Sequence, residues 1–128
     1  MLARLIIILL IPILSSSQNW NIATQFPYTG VHHPITFSYD NYGFVISGSN
    51  TDNTFRYDKN TDSWTQLANF PGGDRGYAYG VAKDDKAYMG FGSDPNGNFP
   101  NNWWEYDITN DSWSQLASFP GAGRNHPA

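Results

Sequence analysis

The segment NTDSWTQLANFPG, Asn60 to Gly72, returns as NDSWSQLASFPG, Asn110 to Gly121, and a looser copy, QNWNIATQFPY, runs from Gln18 to Tyr28. Trp20, Trp64 and Trp113 are spaced by 44 and 49 residues, and a Phe-Pro pair follows each at the same distance: Phe26-Pro27, Phe70-Pro71 and Phe119-Pro120. A phrase that recurs at such a period restricts the chain to repeat architectures, in which each unit covers part of its neighbour. From Phe to a later glycine the spacing is the same in both complete units, Phe26 to Gly48 and Phe70 to Gly92. From Tyr to Trp it is also the same, Tyr57 to Trp64 and Tyr106 to Trp113. The units therefore differ by five residues placed between Gly92 and Tyr106.

Each unit holds four short runs of strand character. In the second they are YAYGVAK from Tyr77, KAYMGFG from Lys86, WWEYD from Trp103 and SWSQL from Ser112. They are rich in aromatic residues and bounded by turn chemistry: Asp84-Asp85, Ser93 to Asn101, and Asp107 to Asp111. Composition agrees. Only 14% of the residues are charged, Glu105 is the one glutamate, and Asn, Gly and aromatics fill the space that Glu, Lys and Ala occupy in helical proteins. The expected class is all-β, with four strands per unit.

An apolar strand ending in glycine, then Tyr-Asp, a turn, Trp-x-x-Leu, and a proline-containing loop followed by Arg resembles the kelch motif. The positions that carry the likeness are Gly48, Tyr57, Asp58, Trp64, Leu67, Pro71 and Arg75, then Gly92, Tyr106, Asp107, Trp113, Leu116, Pro120 and Arg124. The family's paired glycines appear here only as Ser47-Gly48 and Phe91-Gly92. The resemblance implies kelch-type β-propeller blades: antiparallel meanders with the first strand of each nearest the axis and the fourth outside. It implies an outer strand over about 19–25, blades over about 31–67 and 77–116, and the start of a further blade at 124–128. A lone fourth strand in front of the first blade suits a ring closed by strands from both chain ends. Two blades cannot close a ring, so the propeller partly encoded in 18–128 is expected to be completed by further blades or by self-association.

Residues 1–17 read as a secretory signal peptide: Arg4, an apolar run from Leu5 to Leu14, then Ser15, Ser16 and Ser17. The run is shorter than the roughly 20 residues of a spanning helix. The implied location is secreted, periplasmic or cell-surface. Without Arg4 six cations face eleven acids, a balance that offers nothing to nucleic acid or an anionic membrane. The chain has no cysteine, which removes disulfides, thiolate metal sites and cysteine nucleophiles.

Candidate chemistry is sparse. Asp58 to Ser63 starts like a calcium loop but has serine where the glycine belongs and Asn69 where a bidentate Glu is required, so a capped turn is expected. His33 and His126 are equivalent and both precede proline; with His32 they are the only imidazoles, and repetition assigns them to packing rather than to a metal. Arg75 and Arg124 are equivalent and enter innermost strands, either as framework ties or as forks for an acidic or hydroxyl-rich ligand. The inserted loop, Ser93 to Trp104, should share a face with the blade-to-blade loops, where variable loops on a rigid frame carry function. The expected ligand-contacting residues are Asp74, Arg75, Asn98, Trp103 and Arg124, with no metal, cofactor or catalytic set, and the ligand is a glycan or a protein. The alternative implied by the resemblance is a sugar-acting propeller enzyme, like the sialic acid epimerases or galactose oxidases, with its catalytic residues mostly outside this chain. The oxidases need a cysteine joined to a tyrosine, which this chain lacks. For an epimerase base the only local carboxylates are Asp74 and Glu105.

Overall fold

The computed structural model describes residues 20–126. The expected signal peptide over 1–17 lies outside the described residues, as do the last two positions of the expected further blade. Eight strands of five residues each form two separate four-stranded sheets. The first blade contains β1 (Ile35–Tyr39), β2 (Tyr42–Ile46), β3 (Thr54–Asp58) and β4 (Ser63–Leu67); the second contains β5 (Tyr79–Lys83), β6 (Lys86–Gly90), β7 (Trp103–Asp107) and β8 (Ser112–Leu116). Each is an antiparallel meander in chain order. The expected all-β class with four strands per unit is what forms.

Register explains why these sequences choose their faces. Ile35 opposes Ile46, Phe37 opposes Phe44, and Ile46 opposes Thr54. Because side chains alternate across a strand, these residues present one face of the first blade to the second. The second blade answers with Ala87, Met89 and Tyr106, and the core of Ile35, Phe44, Ile46, Phe70, Ala87, Met89 and Tyr106 lies between the sheets. β1 and β5 are the strands that approach across the junction. Gly80 permits it: a Cβ there would stand 2.5 Å from the Ile35 side chain. The sheets are thus closest at their first strands and splay outward, and the widening wedge is filled by large rings. Phe70 lies 5.8 Å from Trp104 and 5.1 Å from Trp113, centroid to centroid.

Where the kelch likeness would have a glycine pair, Ser47 and Phe91 hold left-handed backbones with φ of 53° and 62°. Such a conformation costs an ordinary residue energy and persists where surroundings impose it. Ser47 is held by its hydroxyl, which donates to the carbonyls of Thr51 and Gly73 at 3.1 and 3.0 Å. The glycine that follows cannot be replaced: a Cβ on Gly92 would meet the Gly76 carbonyl at 2.6 Å.

The outer strand expected at 19–25 needs restating. Residues 20–26 form no ladder with any strand among the described residues. Thr24 nevertheless occupies the place of a fourth-strand end. Its N–H and hydroxyl donate to Asp62 at 2.8 and 3.1 Å, and its carbonyl accepts from Trp64 Nε1 at 3.1 Å. One repeat later Ala68 does the same: its N–H donates to Asp111 at 3.0 Å and its carbonyl accepts from Trp113 Nε1 at 2.9 Å. A Tyr hydroxyl steadies each carboxylate, Tyr57 on Asp62 and Tyr106 on Asp111. The recurrent tryptophan and aspartate are therefore a clasp from one blade's outer hairpin onto the preceding fourth strand.

Candidate functional site

Three loops from two blades meet beside the blade junction. The β2–β3 loop brings Ser49 and Asn50, the blade-to-blade segment brings Asp74 and Gly76, and the inserted β6–β7 loop brings Ser93, Asp94 and Pro95; they line an open cleft of about 280 Å³. A backbone bridge ties two of the loops, Gly76 N–H to the Ser93 carbonyl at 3.1 Å and the reverse at 2.8 Å. Asn50 holds φ of 74°, a left-handed turn that asparagine tolerates better than most residues.

Asp94 organises the inserted loop. Its carboxylate accepts from the Asn96 and Asn98 N–H groups at 2.9 and 2.8 Å and from Asn98 Nδ2 at 2.9 Å. These bonds, with the Asn98 side chain foremost, hold its pKa below the ordinary carboxylate value, and the Arg75 charge adds to them. Asn98 is thus spent inside the loop. Asp74, half-buried in the cleft wall, carries no such internal clamp among the described residues, so its carboxylate is the acceptor open to an incoming group.

The expected ligand residues fall into three settings. Asp74 lines the cleft, and Asn98 braces it. Arg75 needs correction as a free fork: it is 2% exposed, and Nη1 donates to the Phe91 carbonyl and Asn102 Oδ1 at 3.1 and 3.0 Å while Nη2 donates to the Gly72 carbonyl at 2.7 Å. Burial lowers its pKa, opposed by Asp94, and the side chain ties the blades together. Trp103 and Arg124 belong to neither setting. The Trp103 ring packs edge-on to Phe91 at 5.2 Å, and the exposed Arg124 guanidinium lies over Phe91 and Phe119 at 5.5 and 5.3 Å. Glu105 lies in mid-sheet on β7, paired with Tyr88, and does not join Asp74. The turn at Asp58 is capped as expected, with Oδ1 accepting from the Asn60 N–H at 2.8 Å.

A second array escaped the sequence. His33, Tyr77 and His126 occupy one repeat position, all with left-handed backbones at φ of 51°, 58° and 45°. Tyr77 N–H donates to the His33 carbonyl at 3.2 Å and His126 N–H to the Tyr77 carbonyl at 3.1 Å, so the blades are laddered at the entrance of their first strands. The His33 ring stacks on Tyr77 at 3.8 Å and Tyr77 lies tilted against His126 at 4.3 Å, beside a groove of about 360 Å³ that Tyr79 also lines. The phenol stands between the imidazoles, so they do not converge on one ion. The signal was present: Tyr77 sits 44 residues after His33 and 49 before His126, the two spacings of the repeat.

No protein-family model matches this chain, and no curated protein does. Among solved structures, that of YjhT is similar, with a TM-score of 0.64 and 23% identity. The similarity covers 73% of this chain and 29% of the YjhT chain, so this chain spans less than a third of that protein. At this identity the likeness concerns the fold, and it agrees with two blades set side by side in a propeller-like arrangement.

Proposed function

We propose that this chain is part of an exported propeller of kelch type that works as a binding module, taking a hydroxyl-rich ligand, a glycan in the first instance, at the Asp74 cleft. The observation that carries the reading is the meeting of three loops, one of them lengthened, around a polar cleft in which Asp74 is open while Asp94 is committed to shaping the wall. A carboxylate accepts hydrogen bonds from adjacent sugar hydroxyls, and bonds to a charged acceptor contribute more than neutral ones. The serine hydroxyls of Ser49 and Ser93 can donate or accept beside it. Tyr77 follows Gly76 directly, which sets the ring array one peptide from the cleft. A protein loop rich in hydroxyl and amide groups fits the same chemistry.

The test is a glycan-array screen of the purified chain followed by calorimetry on the strongest hit. Asp74→Asn, which keeps the shape and removes the charge, is expected to weaken binding by about tenfold or more. Unchanged affinity in that variant removes the cleft as the site, and an array without hits turns the reading toward a protein ligand.

A further inference from the structure

At three equivalent positions the chain places a ring where the backbone favours glycine. His33, Tyr77 and His126 hold φ of 51°, 58° and 45°, a left-handed conformation that a bulky residue adopts against strain and glycine adopts freely. The turn itself makes no demand for a ring. Mutual contact uses part of the array, since His33 lies on Tyr77 at 3.8 Å and Tyr77 N–H is bonded to the His33 carbonyl at 3.2 Å. Packing does not use up the rest: both imidazoles are exposed and the phenol is half-buried. The three rings open on the groove of about 360 Å³, whose walls Pro34, Ala78 and Tyr79 complete. Gly76 lines the Asp74 cleft, and the very next residue, Tyr77, lines this groove. A polar cavity and an aromatic one are therefore set on either side of a single peptide.

We propose that the ring array is a second subsite beside the Asp74 cleft, and that the ligand is an oligosaccharide of at least two pyranose units, one held at Asp74 and the next laid against His33 and Tyr77. The proposal rests on the reading of the cleft as a glycan site and names the class of glycan. A pyranose carries a polar edge of hydroxyls and an apolar face of C–H groups. The edge suits Asp74 with Ser49 and Ser93; the face suits aromatic rings. At the rim of the groove the imidazole nitrogens and the phenol hydroxyl donate to or accept from the hydroxyls of the second unit. Ordering costs little, because the stack and the backbone bond between the blades hold the rings before any ligand arrives. A single sugar engages the cleft and leaves the groove empty. Chain length is thus what the two cavities select.

The test is NMR titration of the purified chain with the mono-, di- and trisaccharides of the glucose, galactose, mannose and N-acetylglucosamine series. In a series that binds, the second unit should raise affinity about tenfold, and the His33 and His126 imidazole C–H signals should shift with the disaccharide and stay in place with the monosaccharide. Tyr77→Gly keeps the left-handed turn and removes the ring. It should bring the ratio of disaccharide to monosaccharide affinity down to about one, with a urea unfolding midpoint equal to or above that of the parent, because backbone strain is relieved. Where that midpoint falls instead, Tyr77→His, which installs the ring found at the two equivalent positions, should restore both the midpoint and the ratio. Asp74→Asn should weaken mono- and disaccharide together and keep their ratio. A disaccharide that binds no better than its monosaccharide, or a ratio that survives Tyr77→Gly, overturns the subsite and leaves the cleft reading standing. Affinities unmoved by Asp74→Asn, or no binding in any of the four series, overturn the cleft and the subsite together.

Discussion

The junction between the blades and the outward face of the second blade are built from equivalent residues in unlike surroundings. Arg75 and Arg124 hold the same repeat position, yet the first is buried with three bonds to protein acceptors and the second is exposed, resting on two phenyl rings. Phe70 and Phe119 differ likewise, 1% exposed against 39%. The motif specifies where a side chain starts. Whether it becomes framework or surface is decided by the next blade, which supplies Phe91, Asn102, Trp104 and Trp113 to the inner member of each pair and has no counterpart for the outer among the described residues.

The largest expected contrast is between the arginines. Arg75→Ala leaves the Phe91 and Gly72 carbonyls and Asn102 without their partner in a buried setting, and should cost about 3–5 kcal/mol in urea unfolding. Arg124→Ala should stay within about 0.5 kcal/mol of the parent. Equal effects would break the comparison, because they would require the outer face to be as closed in solution as the inner one.

Next come the phenylalanines. Phe70→Ala removes a ring packed against two tryptophans and should cost about 3–5 kcal/mol, with Phe119→Ala closer to 1 kcal/mol because its site is partly solvated and can relax. The unfolding midpoints of the two variants, at unchanged denaturant slope, measure the difference.

The clasp tyrosine gives a pH test. Burial, with a smaller part from its hydrogen bond to Asp111, pushes the Tyr106 phenol well above its ordinary value. The folded state holds the neutral form, so the contribution is complete below about pH 10 and is lost as pH rises past that toward the folded value. The chain should lose stability steeply above pH 10, and Tyr106→Phe should flatten the alkaline limb while lowering the neutral plateau by about 1 kcal/mol. An alkaline limb unchanged by the substitution would place the sensitivity elsewhere.

The repeat arithmetic made the blades legible before any coordinates. Equal spacings from Phe to Gly and from Tyr to Trp set the strands, and the five extra residues located the lengthened loop. The roles of individual polar residues were less legible for a physical reason. Arg75 as a fork and Arg75 as a tie need the same side chain at the same entrance, and the choice depends on Asn102 and on two backbone carbonyls whose positions no spacing reveals. Asn98 looked outward by composition, but a neighbouring Asp94 in a tight loop captures it. Tyr77 was hidden because a ring replaced a ring: an imidazole search passes over a phenol even when the period puts it in line. Ser47 and Phe91 stand where the likeness called for glycine, and the left-handed backbone survives because the surroundings are strong enough to impose it.

The smallest effect probes how wet the outer face is. Lys86 and Asp107 pair across β6 and β7 on that face. At the equivalent place on the inner face stand Tyr42 and Asp58, with the Arg56 guanidinium 4.6 Å from the Tyr42 ring centre. The Lys86 ammonium foremost, then Asn110, holds the Asp107 carboxyl well below the usual range. Its contribution is therefore present above about pH 4 and lost as pH falls through the folded value. Lys86→Met should move the acid unfolding midpoint slightly upward, and the shift should shrink in 1 M salt if solvent reaches this half-buried pair, because solvated pairs are screened over a few ångströms there. A shift that persists in high salt would mean that water and ions do not reach the pair, so that a second blade covers this face in solution.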